Sequence, residues 1–212
     1  MIGLFGSHRS GKTTLAIAYA KKHGVSYVKT TASEVFESMG LDPARRYDFP
    51  TRLSVQEEIL RRFDKIYSEH KVGMRAIADR TPIDLLAYTI ADIASDTVSE
   101  ESQKRLDQYT QDCFDVLNKR FSVVMLIQPG IPLVDEPGKA AMSRAYMEHL
   151  NFLMLGLSVS EKIKVAHFYN PRSYLEPEDR IAALENAVKR AVGIASEELA
   201  LAVLHEGVRA VH

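Results

Sequence analysis

The stretch GSHRSGKT at residues 6–13 has the residue types and spacing of a loop that holds a chain of phosphates. Gly6, Gly11, Lys12 and Thr13 match the pattern G-x-x-x-x-G-K-[ST]. The glycines allow a tight turn in which backbone N–H groups converge on phosphate oxygens, and the lysine adds positive charge. Because the threonine hydroxyl is a ligand for Mg²⁺, the pattern predicts binding of ATP or GTP together with Mg²⁺.

The remaining positions of this loop are assigned to the same nucleotide site by their place in the motif. They are Ser7, Arg9, Ser10 and Thr14. The side chains of His8 and Arg9 could contact a phosphate or an incoming substrate, but solvent-facing positions are the stronger expectation.

A second group of polar residues, Asp79 and Arg80, directly follows a predicted strand at 74–78. A carboxylate beside a phosphate loop can bind Mg²⁺ or accept a proton from an attacking hydroxyl. The arginine can bind a phosphate or pair with a carboxylate, and so position an acceptor. An arginine here is unusual for a pure hydrolase, so the pair favours transfer of a phosphoryl group.

These residues need a scaffold that brings separate loops together. Short apolar runs predict strands at 2–5, 25–28, 74–78, 121–127 and 164–168. Helical spacing predicts helices at 12–23, 33–39, 53–70, 83–94, 97–120, 139–157, 178–192 and 196–204. A loop is expected at 42–51, and Thr97 with Glu100 is expected to cap the fifth helix.

The alternation of strands and helices predicts a three-layer α/β fold with a five-stranded parallel sheet and helices on both faces. The loops that follow the strands then share one edge of the sheet, where ligands bind. The length of 212 residues predicts one domain over 1–212.

The composition bounds the setting of the protein. The 27 Lys and Arg residues nearly balance 28 Asp and Glu, so no overall field favours nucleic acid as a partner or excludes it. Cys113 is the single cysteine, which fits a reducing, cytoplasmic location. No apolar stretch reaches the ~20 residues of a membrane helix, so a soluble protein is expected.

The combination of GSHRSGKT with DRTPIDLLAYT at 79–89 resembles the P-loop nucleoside and nucleotide kinases. It is most similar to phage-type deoxynucleotide kinases and nicotinamide-riboside-kinase-like ATPases. The resemblance implies ATP and Mg²⁺ bound by Lys12 and Thr13, Asp79 as metal ligand or base, and Arg80 orienting the acceptor. Dimers are common in this group, so a homodimer is one expected assembly.

The resemblance extends to three further regions. A helical region at about 42–70 binds the acceptor in such kinases, where Gln56 would read a base edge and Arg52 would suit an anionic acceptor. A lid at about 129–145 follows strand four, with Arg144 as its charge-stabilising residue and Lys139 as a weaker candidate. Arg172, after strand five, would flank the adenine.

One departure leaves the acceptor open. Deoxynucleoside kinases have an acidic residue at the end of strand two, where this chain has Lys29, Thr30 and Thr31. The acceptor is therefore a (deoxy)nucleoside monophosphate, or a nucleoside-like hydroxyl with Asp79 as the base.

Three other functions remain to be weighed against this one. A kinase for a hydroxyl on a modified base within DNA would use the same chemistry in a different groove. A regulatory GTPase needs Asn-Lys-x-Asp, and the single Asn-Lys pair, Asn118-Lys119, lacks the aspartate. A mechanical ATPase would want two adjacent acids after a strand, which Asp79-Arg80 does not provide.

Overall fold

The computed structural model of the protein describes residues 1–42, 45, 47–70, 73, 75–93, 97–132 and 143–209, with side chains as far as residue 197. The strands are β1 (Ile2–Phe5), β2 (Ser26–Val28), β3 (Ala76–Ala78), β4 (Val123–Ile127) and β5 (Ala166–Asn170). The helices are α1 (Lys12–His23), α2 (Ser33–Ser38), α3 (Phe49–Ser68), α4 (Pro82–Ile93), α5 (Glu100–Arg120), α6 (Arg144–Ser158) and α7 (Pro177–Arg209).

The five strands form one parallel sheet in the order β2-β3-β1-β4-β5, as predicted. Ile2 of the central strand pairs with Ile77 on one side and with Val123 on the other. Because β2 and β3 lie on one side of β1 and β4 and β5 on the other, the strand order reverses at β1. Parallel sheets bind ligands at that point, and the glycine-rich loop begins there.

Side chains of β1 alternate between two buried layers, as the pleat of a strand requires. Ile2 and Leu4 pack with Leu15 of α1 and Leu184 of α7 on one face. Phe5 packs on the opposite face within a larger cluster drawn mainly from α3, α4 and α5. Helices therefore cover both faces of the sheet, as predicted.

The expected loop at 42–51 is too long, because α3 already begins at Phe49. The Asp48 carboxylate accepts a hydrogen bond from the Thr51 N–H at 3.0 Å and caps the helix. Pro50 lies in the first turn, where its missing N–H costs no hydrogen bond.

The expected cap of α5 is also wrong. The Ser99 hydroxyl, and not that of Thr97, caps the helix by accepting a hydrogen bond from the Ser102 N–H at 3.2 Å. The two helices expected at 178–192 and 196–204 form the single helix α7. Gly193 lies within it, because a glycine costs a helix only about 1 kcal/mol.

Other differences are shifts of element ends. The strands β4 and β5 each begin two residues later than predicted. The helix expected from residue 139 is described from Arg144 onward, so Lys139 and residues 133–142 of the expected lid lie outside the described residues. No helix in the described part of the chain combines the length and apolar character needed to cross a membrane.

Candidate active site

The loop between β1 and α1 depends on its two motif glycines. Gly11 has a φ of 83°, a left-handed conformation that side chains disfavour, and an added Cβ would lie 2.6 Å from Nη1 of Arg180. A Cβ on Gly6 would lie 2.4 Å from the Ile127 carbonyl oxygen. A larger residue at position 6 would have to move backbone, and one at position 11 would have an unfavourable φ and displace the Arg180 guanidinium.

Lys12 is buried within the loop that it follows. Its Nζ donates hydrogen bonds to the carbonyl oxygens of Gly6 and Ser7, at 2.7 and 2.8 Å. Burial, followed by the nearby charge of Arg80, lowers the pKa of Lys12 to about 7. The arrangement places the Lys12 amine at the position where the motif places phosphates, whose negative charge would favour its protonated form.

The two residues predicted to bind Mg²⁺ lie together. Thr13 Oγ1 donates a hydrogen bond to Asp79 Oδ2 at 2.5 Å, and the Tyr27 hydroxyl donates to the same oxygen at 2.9 Å. Burial and this contact with Asp79 raise the pKa of Tyr27, which therefore stays a donor. One hydroxyl and one carboxylate fit Mg²⁺, which proteins hold through one or two side chains plus substrate phosphates.

Asp84 is a central residue that sequence reasoning missed. Its buried carboxylate accepts hydrogen bonds from the Gly6 N–H at 3.2 Å and from the Thr81 N–H at 2.8 Å. The same carboxylate lies 4.0 Å from both Lys12 Nζ and Arg80 Nη1. Burial raises the pKa of Asp84, and the two cations oppose that shift. Its place in DRTPID was visible in the sequence, but its contacts to a loop 78 residues away were not.

A cavity of about 850 Å³ opens beside the phosphate loop, and we call it the acceptor cavity. It is within the usual size range of small-molecule sites. Its described lining residues are His8, Thr30, Thr31, Ala32, Ser33, Phe36, Gln56, Ile59, Phe63, Arg80, Leu85, Tyr88, Ser143 and Tyr146. Within the described residues, Gln56 Oε1, Thr30 Oγ1 and His8 Nε2 are shielded from solvent without a hydrogen-bond partner.

Two of the predicted acceptor residues, Gln56 and Arg80, line this cavity, and the third does not. The Arg80 guanidinium lies over the Tyr88 ring, 5.8 Å from its centroid. Arg52 instead forms an ion pair with Asp92 at 2.7 Å. Binding of an anionic acceptor by Arg52 therefore stays a prediction, and its guanidinium would have to leave Asp92 to reach the acceptor.

Arg144 and Arg172 lie together at a different cavity, of about 380 Å³, beyond the ends of β4 and β5. The Arg172 guanidinium makes two hydrogen bonds of 2.6 Å to the Glu148 carboxylate. That contact lowers the pKa of Glu148. Their predicted roles toward ATP stay predictions, since the expected lid between β4 and α6 lies largely outside the described residues.

Arg180 of α7 is a second residue that sequence reasoning missed. Its Nη2 donates a hydrogen bond of 2.6 Å to the Ser10 carbonyl, although 170 residues separate them. The side chain is 6% exposed and lines a cleft of about 180 Å³ together with Gly11 and Thr14. The cleft has mainly apolar walls, and it adjoins the end of the glycine-rich loop.

His8 does not have the solvent-facing position expected for it. Its backbone N–H donates to the Tyr88 hydroxyl at 3.2 Å. The centroid of its ring lies 5.9 Å from that of the Tyr146 ring. Ser7 and Ser10 of the same loop are fully buried. Arg9 has a φ of 59°, and a left-handed residue at this position helps to turn the loop.

The sheet order, the loop after β1 and the helical layers define the α/β fold of the P-loop kinases. A deoxyadenosine kinase from M. mycoides with bound dATP shares this fold, with 20% identity over 89% of this chain and 98% of that chain and a TM-score of 0.65. Its complex with dCTP gives 18% identity, the same coverage and a TM-score of 0.64. NadR in complex with NR gives 14% identity over 91% of this chain and 50% of that chain, with a TM-score of 0.57.

The resemblance to the P-loop nucleoside kinase group is thus confirmed at the level of the fold. No protein-family model matches the chain, and no curated protein sequence matches it significantly.

Proposed function

We propose that the protein is a kinase that transfers the γ-phosphate of ATP to a nucleoside or (deoxy)nucleoside monophosphate. The observation that carries this proposal is the juxtaposition of two half-sites. The glycine-rich loop with Lys12 and the Thr13–Asp79 pair lies beside the acceptor cavity. His8 of that loop and Arg80, the residue after Asp79, both line the cavity. The deoxyadenosine kinase and NadR structures, which have the same fold, support it.

On the donor side, the loop amides and Lys12 would hold the β- and γ-phosphates. Thr13 and Asp79 would hold Mg²⁺, which neutralises charge on the transferring group when it is bound. Ser7 and Ser10 are buried within the same loop, Arg9 has a left-handed φ there, and Thr14 would contact the nucleotide from the first turn of α1. Arg144 would stabilise charge from the far side, with Arg172 beside the adenine.

On the acceptor side, Gln56 and Arg80 carry the proposal. The shielded Gln56 Oε1 has no partner within the described residues, so a base that donates a hydrogen bond would satisfy it. Arg80 would orient the acceptor toward the γ-phosphate, and its position near Asp84 fixes the guanidinium.

The test is a panel in which the purified protein receives ATP, Mg²⁺ and one acceptor at a time. The acceptors are each nucleoside, each (deoxy)nucleoside monophosphate, nicotinamide riboside, and duplex DNA with or without a hydroxymethylated base. We expect a phosphorylated small molecule, and product on DNA alone would replace this proposal with the DNA kinase.

Two substitutions locate the chemistry. Lys12→Ala and Asp79→Ala should each abolish transfer while the protein stays folded, because they remove a phosphate contact and a Mg²⁺ ligand. The matched controls are Lys21→Ala and Asp107→Ala, whose side chains are exposed. Near-normal transfer by Asp79→Ala would contradict the metal role.

A further inference from the structure

The acceptor cavity has no carboxylate among its described lining residues. Asp79, the one base considered from the sequence, does not line it, and one Asp79 oxygen already accepts hydrogen bonds from Thr13 and Tyr27. The segment after β2 contributes Thr30 and Thr31, which are not bases. A hydroxyl acceptor bound here would need another group to take its proton.

Four described residues that line the cavity carry titratable side chains: His8, Arg80, Tyr88 and Tyr146. Arginine stays protonated at any relevant pH. Burial raises the pKa of Tyr88, and it raises that of Tyr146 to about 12, so both phenols keep their protons. His8 alone among these four residues offers a nitrogen lone pair at neutral pH.

The structure holds the His8 ring in a defined place. The Tyr88 hydroxyl lies 3.4 Å from Nδ1 and also accepts the His8 backbone N–H. Nε2 is shielded from solvent and has no hydrogen-bond partner within the described residues. In the tautomer that carries its proton on Nδ1, this contact leaves the lone pair of Nε2 without a partner, as an oriented base requires.

The surroundings keep this imidazole neutral. Burial, and then the positive charges of Lys12, Arg80 and Arg9, lower the pKa of His8. These cations come from α1, from the segment after β3 and from the loop itself. The facing groups on α4 and α6 are Tyr88 and Tyr146, which are uncharged.

We propose that His8 is the general base of the transfer reaction and that the acceptor is therefore a hydroxyl, such as that of a nucleoside. This inference rests on the proposed kinase function. The acceptor oxygen forms a bond to the γ-phosphorus while the bond from that phosphorus to the β-phosphate oxygen breaks. The hydroxyl proton passes to His8 Nε2, ADP leaves, and the imidazolium returns the proton to water.

The charge of the cavity agrees with a neutral acceptor. A monophosphate would bring up to two negative charges beside the triphosphate, and Arg80 is the single arginine among the described lining residues. Arg52, the other candidate, is paired with Asp92. A phosphate oxygen is also ionised at neutral pH and would leave His8 without a role.

The test compares His8→Gln with the wild type, using the best acceptor from the panel. We expect kcat to fall about 10²–10⁴-fold, with the KM for ATP and the shift of Tm by ATP unchanged. His23→Gln is the matched control, because His23 is partly exposed and pairs with Glu185 away from the cavity. Tyr88→Phe should give a smaller loss of kcat, since it releases the Nδ1 side of the ring.

The pH profile separates a base from a structural residue. The wild type should lose kcat/KM as the pH falls through the lowered pKa of His8 in the free enzyme, and this limb should be absent from His8→Gln. A limb that persists in the variant belongs to ATP or another group and would overturn the inference. A phosphorylated monophosphate as the only product would also overturn it and leave the kinase proposal standing. Absence of product with every acceptor would remove both.

Discussion

Asp84 links the donor and acceptor halves of the site at the scale of single residues. Its carboxylate accepts hydrogen bonds from the phosphate loop and from Thr81, and it lies near the cations of Lys12 and Arg80. Under the proposed function, this buried carboxylate would position Lys12 and Arg80, which would contact substrate, without contacting substrate itself.

Asp84→Ala should therefore lower the free energy of unfolding by about 3–5 kcal/mol, because it leaves buried partners without their carboxylate. Urea unfolding followed by circular dichroism measures this change. Asp84→Asn keeps the shape of the side chain and should cost less.

The control for this comparison is Asp107→Ala, which removes an exposed carboxylate and should change stability by no more than about 0.5 kcal/mol. Equal small effects from Asp84→Ala and Asp107→Ala would show that the Asp84 contacts do not stabilise the fold.

The chemistry-bearing residues divide by how local their signals are. Lys12, Thr13 and Asp79 follow from a contiguous motif and from the end of an apolar strand, and both patterns are readable in one sequence. The contacts of Asp84 and Arg180 join residues 78 and 170 positions apart, and no local pattern encodes such a pairing. For the same reason, the sequence did not show that Arg52 and Arg172 have carboxylate partners.

At the scale of elements, Ser99 and Thr97 are the two candidates for the N-cap of α5. The Ser99 hydroxyl accepts the Ser102 N–H, whereas Thr97 precedes the helix by three positions. Ser99→Ala should cost about 1 kcal/mol, because it leaves a helix N–H without its acceptor. Thermal unfolding of Ser99→Ala and the wild type measures this loss of stability.

Thr97→Ala is the control, and we expect it to stay within about 0.5 kcal/mol of the wild type. A larger loss from Thr97→Ala than from Ser99→Ala would restore the cap predicted from the sequence.

The elements themselves were predictable because their periodicity is local. All five strands and their parallel arrangement were predicted, since buried parallel strands give short apolar runs. The ends were less accurate, because caps and first turns depend on single hydrogen bonds such as that of Asp48. The expected break in α7 failed because Gly193 weakens a helix without ending it.

The whole molecule has two apolar layers that share the central sheet. Leu53 belongs to the layer under α3, and Leu184 belongs to the layer under α7. Because strands β1 and β4 contribute side chains to both layers, we predict that the chain unfolds as one cooperative domain. Leu53→Ala and Leu184→Ala should each cost about 2–5 kcal/mol and lower the same single transition.

Circular dichroism and tyrosine fluorescence report on this transition with independent signals. Coincident curves for the wild type and both variants are the expected result. Two separate transitions, with each substitution affecting only one, would show that the chain contains two domains.

The hydrogen bond from Arg180 to Ser10 connects helix α7 to the glycine-rich loop. It makes the shape of the phosphate loop and the docking of α7 parts of one equilibrium. Under the proposed function, we expect docking of α7 to strengthen nucleotide binding, and reciprocal linkage then requires nucleotide to strengthen the docking of α7 by the same free energy. We therefore expect amide hydrogen exchange along α7 to slow when ATP is added, and unchanged exchange would contradict this coupling.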